Sequence, residues 1–454
     1  MFLIDKETEI TAELICKYIQ LHHEKTSVRY KRLQDYYEGK HDILLRRPQR
    51  EGQACNNMIH NYAKYITDFA SGYLIGEPAA YSSEENIDNL LDYMKKAQTD
   101  VQDTDNAKDQ SIYGVAYELV YMSNAEQPTP KTANIHPSQA FVIYDNSVEL
   151  NSMCGVYYYE YTDPISQDVI GFNVSAVTPT EQIQFKITTD YTVNSEVTIS
   201  ENPFNAVTLI EIWNNKERQG DFEQVISLID GYNKQQSTRV DEAEDFVNSL
   251  MVLKGQIYGD TAEEKVESVS AMKRTGVVEL SEEGDLQFLT RQQDQQGNEL
   301  IRQSIAADIH KFSYVPSLTD KDFASNVSGI AMQFKLMGLN QITKEKERYI
   351  KEGIRERIKL FNAILSAKAA AVVAPEDITI TLTHSLPKNL VEIAQVVGNL
   401  QGICSNETLL AQIPFVEDPK AEAEKAAEER QQRMDDEFVM STPKIEDISK
   451  NEAE

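Results

Sequence analysis

The sequence has little cysteine and no long apolar run. Its four cysteines are Cys16, Cys55, Cys154 and Cys404. They are far apart and form no CxxC pair, so the spacing of a metal site is absent, and scattered thiols suit a reducing cytosol. No apolar stretch approaches the roughly 20 residues needed to cross a bilayer. The opening MFLIDKETEITAELI is acidic where a signal peptide is basic, so we expect neither export nor a membrane partner.

The sequence also lacks the motifs of common enzymes. The phosphate-binding loop GxxxxGK[ST], the dinucleotide motif GxGxxG, the metalloprotease motif HExxH and the nucleophile motif GxSxG are all missing. Of the seven histidines, only His22 and His23 are adjacent. We therefore expect a protein that is not an enzyme, with no catalytic residues, no cofactor and no metal ion.

Acidic clusters leave one enzymatic alternative open. Residues Asp241–Asp245 and the pair Glu282-Glu283 could hold Mg²⁺ in a metal-dependent nuclease. Carboxylates on exposed helical turns or at hairpin tips are more often simply solvated, and we favour that interpretation.

The charge balance is strongly acidic. Asp and Glu together number 73 against 44 Lys and Arg, which gives a formal net charge of −29. Because proteins grip nucleic acid through basic surfaces that neutralise phosphates, this balance argues against tight, nonspecific DNA binding. It is compatible with a protein that touches DNA without holding it.

Helical and strand-like patterns occur in separate blocks, which predicts an α+β fold. Helices are predicted over NNMIHNYAKYITDFASGYL, around Asn86–Ala97, and from Asp221 to Gly255, where Phe246, Leu250 and Leu253 extend an apolar stripe. The strand-like runs VAYELVY, AFVIYD, GVYYYEY, IQFKI and AVTLIEIW lie between them and indicate a mostly antiparallel β domain.

The second half of the chain is mostly helical. TGVVELSEEGDLQFLT predicts a hairpin with a turn at Ser281–Gly284, and NELIRQSIAADIHKF a helix with Ile301, Ile305 and Ile309 in line. The polar stretch PSLTDKDFASNVS then precedes a long helix from Gly329 to about Ala370. From the residues alone, that stretch is an ordinary surface turn between antiparallel helices.

Five blocks, taken in order, resemble portal proteins of tailed bacteriophages, of the long-tailed type that infects Gram-positive bacteria. They are NNMIHNYAKYITDFASGYLIGEP, IYGVAYELVY, NNKERQGDFEQVISLIDGYNKQQS, SGIAMQFKLMGLNQITKEKERYIKEGI and LPKNLVEIAQVVGNLQGICSNETLL. They span about Asn56 to Leu410, and their order is more specific than any one of them.

The resemblance implies a portal-protein fold with named parts. These are a β-containing wing (1–220), a first stem helix (221–255), a small α/β clip (256–293), a second stem helix (294–314), a tunnel loop (315–328), a long wing helix with a returning strand (329–385) and a helical crown (386–434). Residues 435–454 form an acidic tail that we expect, from its composition, to be disordered. The tail matches no part of the family pattern.

The resemblance also implies a function and partners. Portal proteins form a ring, usually of twelve subunits, at one capsid vertex, through which double-stranded DNA is packaged and later ejected without sequence specificity. The expected partners are other copies of the chain, the terminase large subunit, a head–tail adaptor, and the major capsid or scaffolding protein. The chain is then made in the bacterial host cytoplasm and incorporated into the virion.

Three sets of residues follow from the resemblance. The tunnel loop that meets the moving duplex contains Ser317, Thr319, Asp320, Lys321, Asp322, Ser325, Asn326, Ser328 and Gly329. Sparse positive charges on the stem helices are Lys234, Arg239, Arg302 and Lys311, for which salt bridges between subunits with Glu242 or Asp308 are an equal alternative. Clip residues that join subunits or support the docking surface are Val277, Val278, Leu286 and Phe288.

Two functional alternatives remain at this point. One is a cytosolic helical scaffold that binds protein partners and has no DNA role. The other is the metal-dependent nuclease described above.

Overall fold

The structure is a computed structural model and describes most of the chain. The described residues are 1–49, 53–247, 250–254, 261–275, 285–289, 295–317, 334–384, 390–411, 413, 416, 419–420 and 422–430. They belong to two compact units, Met1–Ser385 and Leu386–Glu454. Within the described residues, no helix has both the length and the apolar character to span a bilayer.

The elements confirm the predicted α+β class. The helices are α1 (Ala12–Tyr37), α2 (Tyr62–Leu74), α3 (Asp88–Ala97), α4 (Thr99–Tyr113), α5 (Ile226–Val247), α6 (Ala262–Thr275), α7 (Gln295–Ser313), α8 (Met337–Ala367), α9 (Leu390–Leu400) and α10 (Asn406–Leu410). The strands are β1 (Phe2–Ile4), β2 (Ala80–Ser82), β3 (Val115–Met122), β4 (Pro130–Ile135), β5 (Ala140–Asp145), β6 (Ser152–Thr162), β7 (Val169–Val177), β8 (Glu181–Thr188), β9 (Thr198–Glu201), β10 (Leu209–Trp213), β11 (Leu250–Lys254), β12 (Asp285–Leu289) and β13 (Thr379–Thr381).

A six-stranded sheet packs against the first helix. Its strand order is β1-β5-β6-β7-β8-β9, in which β1 pairs with β5 in parallel and the other neighbours are antiparallel. Helix α1 begins where the Thr11 side chain accepts from the amide of Leu14. Its apolar face buries Ile15 and Ile19 against inward residues of the sheet such as Val156. Alternation along the strands therefore supplies one face of this core.

A second core forms around the long helix α8. The three-stranded sheet β10-β3-β4 packs on it together with α3. Ile350, Ile354, Ile358, Phe361 and Leu365 are all buried in this core, as the predicted apolar face requires. The helix ends at Ala367, within a turn of the predicted end.

Helix α4 was missed by the sequence patterns because its buried face is polar. Gln102, Asp103, Asn106 and Gln110 are all buried. The helix stops at Gly114, which has φ +82°. A Cβ added there would lie 2.2 Å from the Arg218 carbonyl oxygen, so this position requires glycine both for its dihedral angle and for the close approach.

The helix predicted from Asp221 to Gly255 is shorter in the structure. Helix α5 ends at Val247, and the residues predicted as its continuation, Leu250 and Leu253, lie in strand β11. Strand β11 pairs antiparallel with β12, with Leu253 opposite Leu286. The hairpin prediction gave β12 a different partner, whose residues 277–280 lie outside the described part of the chain. Residues Leu250–Lys254, which the sequence pattern assigned to the helix, therefore pair with Asp285–Leu289.

The second compact unit contains α9 and α10, and residues 422–430 are also helical. Helix α10 begins where Ser405 Oγ accepts from the amide of Thr408 at 3.3 Å. These helices lie within the region 386–434 that was expected to be helical.

The four cysteines are free thiols. Cys16 and Cys154 are buried, in the core between α1 and the six-stranded sheet, whereas Cys55 and Cys404 are partly exposed.

Candidate functional site

The predicted tunnel loop is described only at its two flanks. Ser317 is the last described residue before 318–333 and is partly buried. The other predicted loop residues lie outside the described part of the chain. They are Thr319, Asp320, Lys321, Asp322, Ser325, Asn326, Ser328 and Gly329.

The two flanks of residues 318–333 lie side by side. Tyr314, which has φ +60°, places its ring 3.2 Å from the position that a Cβ on Gly338 would occupy. The described residues on either side of 318–333 therefore lie close together.

Both flanks are held by helix α2. The Tyr65 hydroxyl donates to the Pro316 carbonyl at 3.0 Å, and the Tyr73 hydroxyl donates to Asn340 Oδ1. His310 Nδ1 donates to the carbonyl of Val315, a buried residue, at 2.9 Å. The two flanks are therefore held by buried side chains and by hydrogen bonds from three aromatic residues.

Two of the four predicted stem charges converge on one carboxylate. Arg239 on α5 and Arg302 on α7 approach Glu299 at 3.0 Å and 2.6 Å. Hydrogen bonds from Arg302, followed by one from Gln303, lower the pKa of Glu299 to about 2. Both arginines thus have an ion-pair partner in their own chain, and this partner is neither of the predicted residues, Glu242 and Asp308.

The other two stem charges are accessible. Lys234 and Lys311 are exposed, and among the described residues neither makes an ion pair. Lys311 Nζ lies 5.4 Å from the centre of the Phe312 ring. Of the predicted set, these two ammonium groups are the ones that remain available to a phosphate.

Two of the four predicted clip residues lie in the described part of the chain. Leu286 and Phe288 lie in β12, where Phe288 stands opposite Met251. Val277 and Val278 lie outside the described residues.

An extended segment along helix α5 was missed by sequence reasoning. We call residues 53–61 the strap. The amides of Asn56, Met58 and His60 donate to side chains of α5, and each of the three acceptors is buried. The acceptors are Asp241 at 2.6 Å, Ser237 at 2.9 Å and Asn233 at 2.8 Å. The signal available in the sequence was polar residues at intervals of four on a predicted helix.

These contacts occupy one of the suspected metal-binding carboxylates. Asp241 also accepts from the Asn56 side chain at 3.0 Å and pairs with Arg46 at 2.8 Å. In the described ranges, no group of three or more His, Cys, Asp or Glu side chains is arranged to hold a metal ion. The structure gives Asp241 a structural role.

A buried arginine joins the long helix to α4 and β3. Arg357 on α8 donates from Nε and Nη2 to the two oxygens of Glu118, at 2.6 Å and 2.7 Å, and from Nη2 to Asp103. Glu118 also accepts from Asn106 at 2.7 Å. Burial raises the pKa of Asp103, while the Arg357 charge opposes that shift.

A second buried pair connects the long helix to the residue where the first predicted stem segment begins. Lys346 on α8 pairs with Asp221, which also accepts from Ser111 at 2.6 Å and from Asn214 at 2.9 Å. Both partners are almost fully buried. The segment that leads into α5 is therefore anchored to α8 and α4 at Asp221.

Comparisons with known proteins agree on one family. The family described as phage portal protein, SPP1 Gp6-like, matches residues 16–436. The portal protein of Bacillus phage SPP1 is 24% identical over 400 residues, which are 83% of this chain and 76% of the relative. The portal protein of Clostridium phage phiCD119 is 23% identical over 426 residues, which are 86% of this chain and 90% of the relative.

Solved structures with similarity to the chain include two necks of GTA particles. The neck of a native particle, computed with C12 symmetry, has a TM-score of 0.44 and is 11% identical in sequence. The match covers 78% of this chain and 89% of the neck chain. The neck of an empty particle, computed with C6 symmetry, has a TM-score of 0.43 and 12% identity and covers 78% and 90%.

Proposed function

The chain belongs to the SPP1 Gp6-like family of phage portal proteins, and on that premise we propose that it forms the ring through which a phage genome enters and leaves the capsid. The resemblance noted in the sequence is confirmed by the family match and by the two portal relatives. The family is a structural one, and the chain has a phage portal role. The single observation that carries the proposal is the family match over residues 16–436.

In this proposal, copies of the chain, twelve in number, close around an axis at one vertex of the virion. Double-stranded DNA passes along the axis without sequence specificity. The terminase large subunit docks first and a head–tail adaptor later, while the capsid or scaffolding protein surrounds the ring. The protein is made in the host cytoplasm before incorporation.

The residues between the two flanks supply the tunnel loop. A loop that follows a moving, grooved duplex needs side chains that tolerate several backbone states, and the Ser, Thr, Asp and Asn residues between 317 and 328 meet that need. Lys321 contacts phosphate transiently, and its neighbours Asp320 and Asp322 weaken that contact. The fixed base at Tyr65, Tyr73 and His310 supports this role, because it confines adjustment to the intervening residues.

The net charge of −29 fits a passage that repels the duplex. Acidic surfaces act on phosphates across about a Debye length, ~8 Å at physiological salt, so a narrow acidic passage keeps DNA centred and sliding. Lys234 and Lys311, the two stem cations without a described ion pair, supply weak, reversible contacts. An axial surface that proved basic, with the acidic residues on the outer rim, would contradict this part of the proposal.

Imaging of the purified full-length chain tests the ring directly. We expect negative-stain images to show rings with an open axis, and light scattering to give a multiple of the 51.5 kDa chain mass. A monomer at all concentrations would favour the scaffold alternative and overturn the conduit. Incubation of DNA with Mg²⁺ or Mn²⁺ tests the nuclease alternative, and we expect no cleavage.

A variant of the clip tests the assembly contact. Phe288→Asp should abolish rings, because a buried charge in an intersubunit contact is costly. Phe288→Leu keeps an apolar side chain and should assemble normally. Rings of normal mass from Phe288→Asp would show that this position does not join subunits.

A further inference from the structure

The spacing of the hydrogen-bond donors in the strap matches the spacing of the acceptors on helix α5. Donors at Asn56, Met58 and His60 are two residues apart, which in an extended chain is about 6.6 Å. Acceptors at Asn233, Ser237 and Asp241 are four residues apart, which in a helix is about 6 Å. The two spacings are nearly equal, so one rigid segment is bonded along two turns of the helix, running antiparallel to it.

The strap continues without a break into helix α2. Asn61, the last strap residue, caps α2 by accepting from the amide of Lys64 at 3.0 Å. One turn later, Tyr65 bonds Pro316, and near the helix end Tyr73 bonds Asn340. A single stretch of chain therefore contacts α5 at one end and both flanks of residues 318–333 at the other.

We propose that the strap is a mechanical link, which transmits displacement of helix α5 through α2 to the flanks of residues 318–333. The link needs no contact between α5 and those flanks, since the hydrogen bonds on either side of Asn61 suffice. That the flanks carry the tunnel loop rests on the proposed function, but the coupling itself is a property of one chain.

The geometry supports a stiff connection. The three acceptor side chains are buried, which limits competition from water for their hydrogen bonds to the strap amides. The Asp241 bond is charge-assisted and is reinforced by Arg46. Among the described residues the strap pairs with no strand, so these side chains are what hold its alternate amides.

Hydrogen exchange of the full-length chain, followed by mass spectrometry, tests the link. Ser237→Ala removes the middle acceptor while the helix stays intact. We expect amides of 54–61 to exchange faster, by on the order of tenfold, and peptides covering 311–317 to exchange faster as well. Val240→Ala, on the exposed side of the same helix, is the matched control and should change neither region.

A second variant shows whether the effect travels through α2. Tyr65→Phe removes only the hydroxyl bonded to Pro316 and should leave the protection of 54–61 unchanged. In the double variant, Ser237→Ala should add nothing further to exchange at 311–317, because the route is already cut. Additive effects at 311–317, or no response there to Ser237→Ala, would overturn the proposal.

These outcomes are independent of the conduit. A chain that forms open rings but shows no coupling refutes the link and leaves the portal role intact. A chain that shows the coupling but forms no ring refutes the conduit alone.

Discussion

At the scale of single residues, the buried charge of Arg357 must be neutralised and hydrogen-bonded inside the core. It is fully buried and is the described ion-pair partner of two buried carboxylates, those of Glu118 and Asp103. A buried ion pair is costly to form, and more costly to break by the removal of one partner. The helix α8, strand β3 and helix α4 are therefore held in one arrangement by a single guanidinium group.

Replacement of this arginine should be strongly destabilising. We expect Arg357→Met to lower the free energy of unfolding by about 3–5 kcal/mol, because two carboxylates are left in the core without a cation. Without the cation, burial raises the pKa of Asp103 in the folded state further above its unfolded value. Folding then binds protons, so the loss in the variant should grow as the pH rises from about 5 to about 8.

Urea unfolding at several pH values measures both effects. Arg355→Met, on the same helix, removes an exposed pair with Glu352 and should cost less than about 1 kcal/mol at any pH. A loss for Arg357→Met that stayed small, or that shrank at higher pH, would contradict a buried, uncompensated pair of carboxylates.

The role of Arg357 could not have been predicted from the sequence. Helix α8 contains many charged residues, and nothing in its pattern separates Arg357 from its exposed neighbours. The partners Asp103 and Glu118 are more than 230 residues away in the chain. The buried face of α4 is polar and needs a polar partner, but the sequence patterns did not predict α4 because it has no apolar stripe.

At the scale of elements, a close contact between Gly353 and Ile212 fixes how α8 packs against the three-stranded sheet. A Cβ on Gly353 would lie 2.7 Å from Ile212 Cγ1, on the neighbouring strand β10. Gly353 lies inside a continuous helix, where it makes room for a side chain of the sheet.

A methyl group at this position should therefore destabilise the fold. We expect Gly353→Ala to lower the free energy of unfolding by about 1–3 kcal/mol through overpacking, in spite of the better helix propensity of alanine. Gly231→Ala on α5 is the control, since a Cβ there meets nothing within 4 Å, and it should be neutral or stabilising by up to about 1 kcal/mol. Chemical denaturation compares the two, and equal effects would show that Ile212 moves aside freely.

Elements with a clear period were predicted well, and those without one were missed. The strand-like runs VAYELVY, AFVIYD, GVYYYEY and IQFKI lie in strands, as do the last five residues of AVTLIEIW, and the apolar face of α8 is buried as expected. Strand β11 was predicted as helix because Leu250 and Leu253 continue the helical spacing of α5. Its partner β12 lies far along the chain, and such a pairing leaves no local mark.

At the scale of the whole molecule, charge opposes assembly. Each chain carries a formal −29, so subunits in a ring repel one another through water. The family and the portal role could be inferred from the order of the sequence blocks. The strap could not, because its bonds join backbone amides near residue 58 to side chains near residue 237.

Salt should therefore promote ring formation. Raising the ionic strength from about 0.01 M to about 0.15 M shortens the Debye length from about 30 Å to about 8 Å, which screens repulsion between subunits. We expect sedimentation velocity to show a larger ring fraction at the higher salt and equal protein concentration. The reverse trend would mean that attractive pairs between opposite charges dominate the interface.

The distribution of the four thiols suits the chain to site-specific labelling. Burial raises the pKa of Cys16 to about 11 and that of Cys154 to about 12, which keeps both protonated and poorly nucleophilic at mildly alkaline pH. Cys55 and Cys404 are partly exposed, and each compact unit contains one of them. A maleimide dye or spin label can thus be attached to either unit after a single cysteine substitution, and the label on Cys55 sits within the strap itself.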